Sequence, residues 1–283
     1  MPDARPDSVV LSTSASAVVL RVVEPGVFVK VGATAAAEAE RLARLGAAAR
    51  AAGGAVPELL RTGSLGGRTV AVQSEVAGRP AALLLAAQPR LLGRVVEAIA
   101  RWLERWSAAT ARRTPLTRAL LERELLAPAA ALEPELRGGR EYVEWLGQKA
   151  DAADGMSMPF VSAHQDLTMA NVLVRDDGAI GVVDWATAAE EALPLGDLLY
   201  ALVDAHAAAG RYADPAASFA ACFAPDGLAA EPLARLAARL ELDAAAVELC
   251  FHACWLRHAR NEASRPEGTR PFLRILERAV ELR

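Results

Sequence analysis

With 283 residues, 53% of them apolar, and a formal net charge of −4, the chain can form one large domain or two lobes with a sizeable core. Its 31 Lys and Arg residues are scattered, which disfavours nucleic-acid binding, and its apolar runs are shorter than the about 20 residues of a membrane helix. Three late cysteines do not make a disulfide framework, and the N-terminus lacks the pattern of a secretory leader. We therefore expect a cytoplasmic globular protein with no membrane segment and no obligate protein partner.

The first third of the chain alternates between strand and helix patterns. Runs rich in Val, Leu and Phe at 17–23 and 27–31 are separated by a Pro-Gly step, which is typical of a tight turn. A helical pattern covers 34–52 and ends at two glycines, and a strand pattern returns at 68–74. The sequence predicts a small sheet with one helix here.

The rest of the chain is predicted to be mainly helical. Helical spacing of Leu and Trp starts after Gly78 and is interrupted by the stretch 161–186, which contains two short strands joined by an Asp-Gly turn. We expect an α+β fold with an N-terminal nucleotide-binding lobe at 1–76, a connector at about 73–80, and a larger, mainly helical C-terminal lobe at 77–283 that carries one embedded hairpin.

The stretch 161–186, VSAHQDLTMANVLVRDDGAIGVVDWA, combines four Asp, one Asn and one His with β-forming residues. The predicted hairpin returns the chain on itself, so Asp184 comes back beside Asn171, while Asp166 lies in the preceding loop. A carboxylate and a carboxamide oxygen that converge in this way suit Mg²⁺, which takes one or two protein carboxylates and completes its coordination with water and phosphates. Asp166 is then free to reach an incoming hydroxyl.

The segments HQDLTMANVLV and IGVVDWA resemble the aminoglycoside phosphotransferase and choline kinase-like family, small-molecule kinases of the protein-kinase-like superfamily. Protein kinases have Arg before the catalytic Asp and Phe-Gly after the metal-binding Asp, whereas this chain has Gln165 and Trp185-Ala186. Too few residues separate Asp184 from the next helix for a long activation segment. The resemblance therefore implies the bilobal protein-kinase-like fold and a small-molecule acceptor.

The resemblance also implies a role for each polar residue of the motif. Asp166 is the catalytic base that orients or deprotonates the acceptor hydroxyl, and Asn171 and Asp184 bind the magnesium ions. His164 and Asp197 support the site structurally, although Asp197 stands at a predicted helix start and helix capping alone would explain it. Asp and Asn that merely cap turns are the general alternative to this interpretation.

A site of this type needs a strand Lys on the nucleotide phosphates, usually steadied by a helix Glu. Lys30 lies inside VFVKV, although a Lys at a solvated strand edge is the alternative. Glu38, Leu42 and Leu45 have helical spacing, so Glu38 lies on the face that packs against the sheet and is our predicted partner of Lys30. Glu40 points away and is the fallback.

The connector is predicted to hold the adenine. Ser74, Glu75 and Val76 occupy the position at which the family binds the base through main-chain amide and carbonyl groups. The phosphate-covering loop is assigned to STSAS at 12–16, which contains no Gly; its hydroxyls would fit a solvated turn equally well.

These residues predict a Mg²⁺-dependent phosphotransferase that moves the γ-phosphoryl group of ATP or GTP to a hydroxyl of a small molecule. An aminoglycoside or other antibiotic, a sugar, and an amino alcohol are possible acceptors. A catalytically silent nucleotide-binding pseudokinase or regulatory protein is the alternative. Carboxylates would suit a polycationic acceptor, and the candidates are Glu190, Glu191, Asp204 and Glu262.

A second metal site is suggested by the spacing of Cys250, Cys254 and His258 on one predicted helix. All ligands would come from a single helix, and buried cysteines on an apolar helix face are far commoner than metal sites. We interpret these residues as core.

Overall fold

The computed structural model describes residues 8–13, 17–24, 26–266 and 269–283, and it has a small antiparallel sheet lobe and a larger helical lobe. The strands are β1 Ser8–Thr13, β2 Ala17–Val22, β3 Val27–Gly32, β4 Leu59–Leu65, β5 Arg68–Ser74, β6 Arg79–Pro80, β7 Arg112–Pro115, β8 Ser157–Ala163, β9 Val172–Val174, β10 Ile180–Val182 and β11 Ala189–Ala192. The helices are α1 Ala33–Ala51, α2 Ala81–Ala87, α3 Leu92–Thr110, α4 Arg118–Leu121, α5 Ala127–Leu132, α6 Gly139–Ala153, α7 Gly196–Ala209, α8 Pro215–Cys222, α9 Ala230–Arg239, α10 Ala244–Glu262 and α11 Pro271–Glu281. The α+β two-lobe prediction is confirmed.

The N-terminal sheet has five antiparallel strands in the order β1-β2-β3-β5-β4. Lys30, on the central strand β3, pairs with Val19 of β2 and Ala71 of β5, so it is an interior residue of the sheet and not a strand-edge residue. Helix α1 packs on the sheet through small side chains, including the fully buried Ala35. The sequence patterns predict three of these strands, β2, β3 and β5. Strand β4 has no clear apolar alternation, because it contains Gly63 and is largely exposed.

The predicted hairpin is present as β9 and β10, with Val172 opposite Val182, and β6 adds a third strand. A second small sheet, β11-β8-β7, was not expected, so the prediction of a single embedded hairpin was wrong. Strand β8 is a short and almost continuously buried apolar run, which periodicity cannot distinguish from a buried helix segment. The lobe boundary at residues 76 and 77 stays a prediction.

The two lobes are joined by main-chain hydrogen bonds at the hairpin. Ala55, just after α1, donates to the carbonyl of Ile180 at 2.9 Å and accepts from the N–H of Val182 at 2.8 Å. The indole of Trp102 in α3 donates to the carbonyl of Ala49 in α1 at 3.1 Å. These bonds set the position of α1, and thus of Glu38, relative to the hairpin. No helix of the described ranges is both long and apolar enough to cross a membrane.

The helical core contains buried histidines that should make stability depend on pH. His258 of α10 stacks on Tyr200 with ring centroids 3.9 Å apart, and burial lowers its pKa from 6.5 to about 3. Its folded-state pKa therefore lies below the unfolded value, so its stabilising contribution is complete above pH 6.5 and is lost as the pH falls towards 3.

We expect His258→Phe, which keeps an aromatic ring on Tyr200, to be less sensitive to acid than the wild type. The difference in unfolding free energy between the two proteins should change by about 2 kcal/mol between pH 7.5 and pH 5 in favour of the variant. Urea unfolding at both pH values measures this difference. A constant difference would show that His258 is not buried in its neutral form.

Candidate active site

The loop of residues 164–171 follows strand β8 and is held at its start by α7; we call it the Asp166 loop. The carboxylate of Asp197 accepts the backbone N–H of His164 at 2.6 Å and that of Gln165 at 2.8 Å. Gln165 has a φ of 65°, in the left-handed region that favours Gly. Asp197 lies in the first turn of α7, whose N-cap is Leu195 and carries no side-chain capping bond. Its two hydrogen bonds instead hold the backbone turn directly before Asp166.

His164 connects the Asp166 loop to the end of the hairpin. Its side chain is fully buried, its Nε2 lies 3.0 Å from the carbonyl oxygen of Val183, and its ring meets Trp185 edge-on at 5.1 Å between centroids. Its carbonyl accepts the hydroxyl of Thr187 at 3.0 Å. This arrangement fits the structural role expected of His164, since the ring lies away from solvent.

Asp166 and Asn171, which lie five residues apart in the loop, are hydrogen-bonded to each other. The Nδ2 of Asn171 donates to the main-chain oxygen of Asp166 at 2.9 Å and to its Oδ2 at 3.1 Å. Burial raises the pKa of the Asp166 carboxyl, and the charges of Asp184 and Asp204 add to this, while His164 and Asn171 act in the opposite direction. A raised pKa makes this carboxylate a better proton acceptor.

Lys30 joins the two lobes through ion pairs with two carboxylates. Its Nζ lies 2.5 Å from Glu38 Oε2 and 3.0 Å from Asp184 Oδ1. Glu38 is fully buried, and its other oxygen accepts the backbone N–H of Trp185 at 3.3 Å. The structure therefore pairs Lys30 with Glu38. Glu40 is exposed and pairs with Arg residues of its own helix.

The oxygens of Asn171 and Asp184 form a donor set that fits Mg²⁺. The Nδ2 of Asn171 points to Asp166, which leaves its carboxamide oxygen as a ligand, and half of the Asp184 side chain is exposed. Two hard oxygen ligands are enough for Mg²⁺ when phosphates and water complete its coordination. Among the described residues, no cluster of three or more His, Cys, Asp or Glu could hold a metal, and Cys250 and Cys254 are free and buried.

The backbone N–H groups of the connector differ in whether they are already hydrogen-bonded within the protein. The N–H of Ser74 donates to Glu58 at 2.9 Å, and the N–H of Glu75 donates to Gly26 at 3.1 Å. The Glu75 side chain forms an ion pair with Arg21 at 2.8 Å. Of the three residues predicted to hold the base, Val76 is thus the one whose N–H has no backbone acceptor in the described chain. Of the predicted phosphate-covering loop 12–16, residues 14–16 lie outside the described residues.

The four acids that were candidates for binding a polycationic acceptor do not lie together in the structure. Glu190 forms an ion pair with Arg44 at 2.6 Å, and Glu191 is exposed beside it. Glu262 is buried and accepts the backbone N–H of Phe272, in the first turn of α11, at 2.8 Å. Of these four acids, only Asp204 has a hydrogen bond to the Asp166 loop within the described part of the chain, at the N–H of Met169. Asp204 stands on α7 seven residues, or two helical turns, after Asp197. This spacing is the sequence signal that puts the two acids on one face of the helix.

A model of the phosphotransferase enzyme family matches residues 3–233. The chain belongs to this family. It is a kinase-type phosphotransferase. A search of curated proteins found no match.

Solved structures similar to this phosphotransferase include aminoglycoside phosphotransferases. A thermostable mutant of APH(4)-Ia in a ternary complex with ADP and hygromycin B is 15% identical with a TM-score of 0.63, and the alignment covers 97% of this chain and 93% of that one. APH(3'')-Id from Streptomyces rimosus is 20% identical with a TM-score of 0.53, and the alignment covers 89% and 92% of the two chains. At these identities the similarity establishes the fold.

Proposed function

We propose that the protein transfers the γ-phosphoryl group of ATP or GTP to a hydroxyl of a small molecule in a Mg²⁺-dependent reaction. The observation that carries this proposal is the position of Lys30, which touches Glu38 in its own lobe and Asp184 in the other. A Lys between these two acids is placed to bind phosphate groups at the point where a divalent cation also binds.

On the nucleotide side, Lys30 is the cation for the phosphates and Glu38 keeps its Nζ in place. When a nucleotide binds, Lys30 exchanges its contact with Asp184 for phosphate oxygens, and the bond to the buried Glu38 limits its movement. The connector residues Ser74, Glu75 and Val76 flank the base, and the N–H of Val76 binds it. Mg²⁺, held by Asn171 and Asp184, supplies neutralisation of the phosphate charge.

On the acceptor side, Asp166 orients the hydroxyl and accepts its proton as the new O–P bond forms and the bond to the nucleoside diphosphate breaks. The hydrogen bond from Asn171 to Oδ2 fixes the Asp166 side chain, and burial makes its carboxylate more basic. Most of the rate enhancement comes from alignment and charge stabilisation, because phosphoryl transfer requires little covalent chemistry from the protein.

Glu38→Gln tests the nucleotide-binding role of the Lys30 pair. We expect the KM for nucleotide to rise about tenfold, because a neutral amide holds the Lys30 ammonium less well than a carboxylate does. Glu40→Gln, the same change on the exposed side of the same helix, is the matched control and should leave the KM unchanged. Steady-state kinetics at saturating Mg²⁺ measures both. Equal KM values for the two variants would contradict the role of Glu38.

The function as a whole is tested by thermal stabilisation and turnover. Purified protein is heated with ATP or GTP, with Mg²⁺ or with EDTA, and then with aminoglycosides, other antibiotics, sugars and amino alcohols. We expect Mg²⁺-dependent stabilisation by a nucleotide, and phosphate transfer to at least one hydroxylated compound. The similarity to aminoglycoside phosphotransferases places aminoglycosides first in the panel.

The pseudokinase alternative predicts a different result in the same experiment. A pseudokinase would be stabilised by nucleotide but would transfer no phosphate to any acceptor and hydrolyse no ATP. Absence of nucleotide stabilisation under all conditions would reject both functions.

A further inference from the structure

We propose that Asp204, supported by Tyr212, is a positioning residue that holds the C-terminal half of the Asp166 loop for phosphoryl transfer. Asp204 Oδ2 accepts the backbone N–H of Met169 at 2.6 Å and the hydroxyl of Tyr212 at 3.2 Å. Met169 lies between Asp166 and Asn171, so the bond holds the segment that separates the two. The inference rests on the proposed function, in which these two residues carry the reaction.

The bond from Asp204 is one half of a two-sided attachment at Met169. The carbonyl oxygen of Met169 accepts the backbone N–H of Ala82, the second residue of α2, at 2.9 Å. The side chain of Met169 is fully buried. Neither main-chain group of Met169 is therefore free to move without breaking a bond to a helix, and α2 directly follows the connector.

Helix α7 holds the Asp166 loop at both ends with two carboxylates. Asp197 accepts the N–H groups of His164 and Gln165, and Asp204, two turns further along the same helix face, accepts the N–H of Met169. Hydrogen bonds from backbone N–H groups to a carboxylate are charge-assisted and stronger than neutral ones. A single rigid helix thus fixes the loop on either side of Asp166.

The environment of Asp204 destabilises an ionised carboxylate unless hydrogen bonds stabilise it. The side chain is half-buried, and burial raises the pKa of its carboxyl, while the bonds from Met169 and Tyr212 lower it. Among the described residues, no Lys or Arg lies within ion-pair distance of Asp204. A carboxylate without a cation at such a place costs stability unless its hydrogen bonds offset the loss of water.

Tyr212 reaches Asp204 through a strained turn. Arg211 and Tyr212 follow α7 with φ values of 55° and 56°, so two consecutive residues other than Gly adopt the left-handed region. Each of these two left-handed residues destabilises the folded state by about 1 kcal/mol or more relative to Gly at the same position. This turn folds the chain back against its own helix and places the Tyr212 hydroxyl on Asp204, although 46% of the residue stays exposed.

Asp204→Asn separates positioning from simple stabilisation when it is compared with Asp214→Asn. Asp214 caps α8 by accepting the N–H of Ala217 at 3.0 Å, so both changes weaken a carboxylate bond to a backbone amide, but only one lies at the loop. We expect Asp204→Asn to lower kcat about 10- to 100-fold, because a small misplacement of reacting groups is enough for that loss. Its KM for nucleotide should stay within about twofold, as the Lys30 pair is untouched.

Hydrogen exchange tests the same inference without turnover. Amides of residues 164–171 in the full chain should exchange about tenfold faster in Asp204→Asn than in the wild type. In Asp214→Asn they should exchange at the wild-type rate, and kcat should also be that of the wild type. Tyr212→Phe, a change at a partly exposed side chain that does not threaten folding, should shift exchange and kcat in the same direction by a smaller factor.

Two results would overturn the role of Asp204. Wild-type exchange of residues 164–171 in Asp204→Asn would show that the bond does not hold the loop, whatever the activity. Equal losses of kcat in Asp204→Asn and Asp214→Asn would show that kcat falls because the whole protein is less stable, and not because the Asp166 loop has moved. The proposed function fails separately, if the wild type is not stabilised by nucleotide and phosphorylates no acceptor, and hydrogen exchange still tests the role of Asp204 in that case, so the two failures are distinguishable.

Discussion

Replacing Asp166 with Asn should lower kcat about 10²- to 10⁴-fold, which is the usual contribution of a positioned general base. Asn has the shape of Asp but cannot accept the proton of the acceptor hydroxyl. The variant should still bind nucleotide with Mg²⁺, because Lys30, Glu38 and Asp184 are unchanged. Measured phosphate transfer to the best acceptor of the panel, together with thermal stabilisation by nucleotide, gives both quantities.

The control for this experiment is Asp176→Asn, the same chemical change at an exposed residue of the hairpin turn. It should leave kcat, KM and stability unchanged. If Asp166→Asn has the kcat of this control, Asp166 is not the base. If it loses nucleotide binding to the same extent as kcat, its role lies in the structure of the loop.

Asp184→Asn should remove the effect of Mg²⁺ on nucleotide binding. We expect kcat/KM for nucleotide to fall at least about 100-fold, since a metal ligand that stabilises transferring phosphate is worth several kcal/mol. Stability should change by less than about 1 kcal/mol, because Asp184 is half-exposed and Asn tolerates its left-handed φ of 65°. Lys30 keeps its bond to Glu38 in the variant.

Melting curves with ATP and Mg²⁺, compared with ATP and EDTA, measure this loss. The wild type should be stabilised more in the presence of Mg²⁺, and Asp184→Asn should give equal curves in the two conditions. A variant that still responds to Mg²⁺ like the wild type would mean that the cation is held elsewhere. Asp176→Asn is again the matched control, since it changes an Asp of the same hairpin.

The parts of the site that follow from local sequence were accessible before the structure. The Asp-Gly turn and the short β-forming runs on either side of it predicted the hairpin, and a hairpin necessarily brings Asp184 back towards Asn171. Helical periodicity separated Glu38 from Glu40, since a difference of two residues moves a side chain to the opposite side of a helix. These inferences depend only on the geometry of a single element.

Other features depended on contacts between distant segments and could not be read from local patterns. Strand β8 was missed because a short buried apolar run is ambiguous, and β4 because its exposed face carries no alternation. The contact of Asp204 with Met169 joins residues 35 positions apart. Among the many acids on helices, only the packing of α7 against the Asp166 loop distinguishes this one.

The sequence by itself determined the residue types of the site, their order along the chain, the elements that carry them and the family. The tertiary structure alone decided that Lys30 meets Asp184 across 154 residues, that α7 holds the Asp166 loop at both ends, and that Glu190 and Glu262 are engaged in other contacts. The physical reason is that secondary structure follows from periodicity and turn chemistry over a few residues, whereas the pairing of charges follows from how buried surfaces pack.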